Sequence, residues 1–159
     1  MGGTLTDILT FAATLGSGLM AGLFFIFSVC IMTAFARLPA EKGIAAMQSI
    51  NVAIINPLFF AAFFGTAALS VVLAVLSIVQ WNEGAAVFHF AGSVLYLVGI
   101  ILVTMIFNVP LNQKLAAVAP DSAEGASLWA RYLSVWTAWN HVRTLASIAA
   151  MAAFVLALR

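Results

Sequence analysis

Charge is what this sequence has least of. Only 7% of its 159 residues are Asp, Glu, Lys or Arg, while 65% are hydrophobic. A soluble domain carries roughly 25% charged and 45–50% apolar residues, so no ordinary water-facing surface can be built from this chain. Its five acids are Asp7, Glu41, Glu83, Asp121 and Glu124, all at the borders of apolar runs. No carboxylate is therefore placed to hold an iron or zinc ion within the membrane. The two histidines, His89 and His141, fall near opposite membrane faces and cannot share one metal within a chain, and the expectation is no metal and no cofactor. Cys30 is the only cysteine, which excludes an intramolecular disulfide and any CxxC pattern; inside an apolar run it reads as packing. Lys and Arg are missing ahead of the first apolar stretch, and that stretch is too long for a cleavable leader, so none is expected. Apolar and polar residues do not alternate, which sets a barrel aside. A net charge of +1 gives no reason to expect nucleic acid.

What is there is a set of uncharged runs long enough to cross a bilayer as helices. The pattern predicts an all-α protein, a four-transmembrane-helix bundle in one domain, with spans at about 8–36, 57–79, 85–107 and 134–158. The run from Ile44 to Trp81 is too long for one span, and Asn56-Pro57 divides it, Asn as helix cap and Pro at the first helical position. Ile44 to Ile55 then reads as a segment leading into the membrane. Trp81-Asn-Glu-Gly84 reads as a turn, and Pro110 is expected to end the third span because it removes a backbone donor. Pro120 to Glu124 resembles a helix start. Gly18 and Gly22 form a GxxxG pair that allows close helix approach, here read as packing within the bundle.

Positive charge sets the expected orientation. Arg37, Lys42, Lys114 and Arg131 belong to the first and third connections, and the opposite side has only Arg159. Loops 37–43 and 108–131 are therefore expected in the cytoplasm, with both termini outside. In a bacterium this is the inner membrane.

Polar side chains gather at the same face. Gln48, Asn51 and Asn56 precede the second span, Asn108 and Asn112 leave the third, and Asn140, His141 and Arg143 lie in the fourth. Ionisable groups inside a span are costly and point to function. Trp129, Trp136, Asn140 and Arg143 are spaced by 7, 4 and 3 and share one helix stripe, with His141 about 100° round from Asn140, at the edge of a pocket that stripe would line. Each has a plainer reading. Asn56 can be only a cap, Asn108 can satisfy carbonyls freed by Pro110, and Trp129, Trp136 and Trp139 can form an interfacial belt. Arg143 can snorkel to headgroups, and His89 can sit at the interface.

The segments Gly18 to Gly22 with Phe24-Phe25, Gln48-Ser-Ile-Asn51 to Asn56-Pro57, Asn108-Val-Pro-Leu-Asn112, and Trp129 through Trp136-Thr-Ala-Trp-Asn-His-Val-Arg143 together resemble the anthrone oxygenase family of small four-helix membrane proteins. The resemblance implies oxidation of a lipophilic phenolic or anthrone-type ring by O₂ without metal or flavin. On that reading His141 is the general base, Arg143 and Asn140 stabilise the oxyanion, Trp136 and Trp139 stack on the ring, and Asn51, Asn108 and Asn112 contact substrate. The implied partners are a lipophilic small molecule and membrane lipid, and a homo-oligomer is compatible with this. The alternative is a non-catalytic accessory protein, or a lipid or quinone binder, in which the same cluster only organises packing.

Overall fold

The computed structural model describes residues 2–81 and 84–159; Asn82 and Glu83, in the middle of the expected turn, lie outside the described residues. The helices are α1 (Gly3–Ala36), α2 (Ala40–Ala53), α3 (Pro57–Val79), α4 (Ala86–Ala116) and α5 (Ala123–Ala157). All but α2 are long and apolar enough to cross a membrane, and no strand occurs among the described residues. The chain is an integral membrane protein built as an all-helical bundle.

Helix is what the bilayer demands of such runs, because every backbone donor and acceptor must be satisfied within the segment. Asn56 caps α3 as expected: its Oδ1 accepts from the Phe59 amide at 2.9 Å, with Pro57 in the first turn. Ser122 caps α5 in the same way, accepting from Gly125 at 2.9 Å. Pro110 does not end the third span. The helix runs on to Ala116, with Pro110 in the first turn of the α-helical piece Val109–Ala116. The preceding stretches Leu97–Leu102 and Thr104–Asn108 are π-helical. That wider winding shifts the bonding register, so the missing donor falls at a start of α-helix, where none is needed. A third π-helical stretch, Phe27–Ile31, lies in α1.

At about 1.5 Å per residue, α1, α4 and α5 are roughly 46–53 Å long, well beyond a ~30 Å hydrocarbon core, whereas α3 barely exceeds it. The ends of the long helices are joined by α2, whose Ile44 and Met47 are buried among Leu111, Leu115, Trp129 and Tyr132. Gln48 fixes α2 there, donating from Nε2 to the carbonyls of Leu115 (2.8 Å) and Val118 (3.0 Å), which are left free at the end of α4.

A second core fills the bundle toward the termini, with Ala13, Leu73, Tyr96, Ala150 and Phe154 among its members. Its buried hydroxyls mostly bond back to their own helix, as Thr66 does to Ala62 O (2.7 Å) and Ser147 to Arg143 O (2.7 Å). Of the expected pair Gly18 stands in close approach, where a Cβ would lie 3.2 Å from Met151 Sδ, and other glycines are tighter still. A Cβ on Gly16 would collide with Thr66 and one on Gly92 would come within 2.7 Å of the Phe154 ring, but one on Gly22 would meet nothing within 4 Å.

Candidate functional site

Between α2 and the splayed ends of the four long helices lies a cavity of about 710 Å³. Phe24 and Phe27 line it from α1, Met47 and Asn51 from α2, Phe59 and Phe63 from α3, Thr104 and Asn112 from α4, and Trp136, Asn140 and Arg143 from α5. Its volume suits a ligand of several fused rings, and its walls are apolar with a few polar groups converging on one side.

Arg143 is 5% exposed and sits well inside α5. Its Nη2 donates to Asn140 Oδ1 at 2.8 Å and its Nη1 to Thr104 Oγ1 at 3.3 Å. The guanidinium carbon lies 4.3 Å from the centre of the Phe24 ring and 5.1 Å from that of Trp136. Two ring faces are each worth about 0.5–2 kcal/mol to a cation, but every one of these partners is neutral. The Nε is buried without a hydrogen-bond partner. Arg143 therefore does not snorkel; it is held deep as a cation whose charge the cavity walls do not offset.

Asn140 is fully buried and orients that cation. Its Nδ2 donates to Phe24 O and Ser28 Oγ, both at 2.8 Å, which leaves Oδ1 for Arg143. Ser28 lies in the π-helical part of α1 and Thr104 in that of α4, so both supports come from segments whose register departs from the α-helix. Above Trp136 the rings of Trp129, Tyr132 and Trp136 form a ladder, with successive centroids 5.5 Å apart and planes within 18° and 14°. Asn112 ties this ladder to α4: its Oδ1 accepts from Tyr132 OH at 2.7 Å and from Trp136 Nε1 at 2.8 Å.

The stripe of Trp129, Trp136, Asn140 and Arg143 thus comes together as one buried wall. Asn51 and Asn112 join the cavity lining, and the Nδ2 of Asn51 is buried without a hydrogen-bond partner. Asn108 is brought near but not into the cavity. It bonds across to α5, Nδ2 to Trp136 O at 3.2 Å, instead of to carbonyls beside Pro110. Trp139 is stacked face to face on Phe107, with centroids 3.6 Å apart, away from the cavity. His141 is not brought there at all. One residue on from Asn140 a helix turns by about 100°, and His141 is exposed on the same outer side as Val142 and Leu145. His89 is buried near the other end of the bundle, its Nε2 2.9 Å from Thr10 Oγ1. Tyr132 stands on the stripe that contains Trp129 and Trp136, and helical spacing alone would have picked it out. Ser28 and Thr104 carry no signal in sequence, because they act across helices.

A family model described as anthrone oxygenase matches residues 58–153, more than half of the chain. The chain belongs to the anthrone oxygenase family. The match takes in nearly all of α3, all of α4 and most of α5, and with them Thr104, Asn112, Trp136, Asn140 and Arg143; α1 and α2, which supply Phe24 and Asn51, lie outside it. No curated protein matches the chain, and no solved structure does.

Proposed function

We propose that this anthrone oxygenase family member binds a flat, lipophilic phenol or anthrone-type ring in the cavity as its anion, and that O₂ oxidises it there. The observation that carries this reading is Arg143, a buried cation at the wall of an aromatic cavity with only neutral partners. A charge inside a span needs a counter-charge, and here the ligand supplies it. Pairing at about 4 Å is worth up to about 4 kcal/mol at an intermediate effective dielectric. That makes the ring about a thousandfold more acidic.

For an anthrone the balance is simple. The ring loses the proton on its central carbon, and the electron-rich carbon forms a bond to O₂. The resulting peroxide takes up a proton, water leaves, and the carbonyl forms: anthrone and O₂ give anthraquinone and water. Asn140 holds the guanidinium against the developing oxyanion, and Trp136 offers a ring face. With His141 on the outer face, the first proton leaves to water at the α2 rim in this reading, and Arg143 makes the loss favourable. The positive residues Arg37, Lys42, Lys114 and Arg131 support a cytoplasmic side for that rim.

The only ionisable residue of the cavity lining, among the described residues, is Arg143. That favours a second reading, a binder of the same anionic lipophile or of a quinone that does not turn it over. The two are separated by O₂ consumption in detergent with an anthrone and a set of hydroquinones, beside an optical spectrum. Uptake that is lost in Arg143→Gln supports the oxygenase; saturable binding without uptake supports the binder.

A further inference from the structure

The cavity has an opening, and its position says where the ligand comes from. The helices α3 and α4 pack together over Ala86–Leu102 but not closely over Thr104–Ala116, whereas α2 rests on Val109–Ala116. Between these two contacts a window is left in the bundle wall. Phe60, Phe64 and Met105 border it; they line the cavity and are also 40%, 49% and 53% exposed. Phe60 and Phe64 lie three and seven residues below Pro57, about 5 and 10 Å down the helix, so the window opens into the hydrocarbon of one leaflet. Val52 and Ile55 extend the apolar border to α2, and Gln113 stands at the α2 end as the polar residue of the rim.

We infer that ligand reaches the cavity sideways from the bilayer, through the window between α3 and α4, and not from water past α2. This rests on the reading of the cavity as the ligand site and narrows its substrate class: a molecule already dissolved in the membrane, whose acidic ring edge goes in first toward Arg143 while its apolar remainder stays among Phe60, Phe64 and Met105. Water-soluble conjugates of the same ring are excluded. A window bordered by Phe60, Phe64 and Met105 imposes no dehydration on a molecule arriving from lipid, whereas a charged or glycosylated one would have to shed its water there.

A reversible plug tests this. In a Cys30→Ser background, Met105→Cys and Gln113→Cys are each capped in liposomes with a benzyl methanethiosulfonate. The association rate of a dihydroxyanthraquinone is then read by stopped-flow quenching of tryptophan emission. Capping at Met105 slows the saturable phase about tenfold or more, reductant restores it, and capping at Gln113 changes it less than about twofold. Phe64→Cys gives the same result as Met105→Cys and serves in its place if that variant does not fold. Slowing by the Gln113 cap alone, or by neither cap, overturns lateral access while leaving the cavity as a ligand site. Absence of any saturable phase in the uncapped protein removes the ligand site itself, and the proposed function falls with it.

Discussion

Toward the termini the four long helices approach through Gly16 and Gly92, whose missing side chains leave room only for Thr66 and Phe154. Toward α2 the same helices meet through Phe24, Trp136 and Arg143 and leave about 710 Å³ between them. In the first half most buried hydroxyls turn back to their own helix, as at Thr66 and Ser147, while Thr10 with His89 and Tyr96 with Phe63 O bond across; in the second the polar groups of the cavity wall reach across, Asn140 to α1, Arg143 to α4 and Asn112 to α5. Small residues let a membrane bundle close, and large residues with cross-helix polar bonds hold it open. The closed half thus sets the helix spacing from which the open half diverges.

Four substitutions sharpen or break this contrast, taken from the largest effect to the smallest. Arg143→Met should lower oxidation or ligand binding by about 10²–10³-fold, the usual loss when a charge-stabilising group is removed, measured by O₂ uptake or Trp quenching. Its melting temperature in detergent should be unchanged or higher, because an uncompensated cation leaves the membrane interior. A fall in both would make Arg143 a structural residue. Gly92→Leu, in the closed half, should cost about 1–3 kcal/mol of stability by overpacking against Phe154, read as a lower melting temperature, while any folded fraction keeps its affinity. Asn112→Leu leaves Tyr132 OH and Trp136 Nε1 without their shared acceptor and should cost about 1–2 kcal/mol in stability, with affinity reduced by loosening of the ring ladder. His141→Ala should change turnover less than about twofold, since that side chain lies outside the cavity. A loss like that of Arg143→Met would return the base to His141 and break the reading of the open half as the whole site.

The helical framework was largely legible in sequence, because a bilayer reduces the choices to continuous apolar helices and the Asn56-Pro57 break is a local signal. The Trp129 to Arg143 stripe was legible for the same reason: it lies on one helix and follows from helical spacing. What could not be read there is how the helices face one another. His141 and Asn140 are adjacent in sequence and about 100° apart in space, and only the packing of α5 against α1 and α4 decides which of them turns inward. Pro110 departs from expectation because proline inside a helix commonly breaks or kinks it, whereas here π-helical winding absorbs it. Ser28 and Thr104, ordinary hydroxyls in apolar runs, gain meaning only from the partners that two π-helical segments bring to them.

If the open half is an anion site built on Arg143, an absorbance titration of a bound phenol shows it most directly, because phenol and phenolate absorb at different wavelengths. With the wild-type protein the bound ring should ionise at a pH at least about one below that in empty micelles, and Arg143→Gln should abolish the difference. A bound ring that ionises at the same or a higher pH than in micelles would contradict the account.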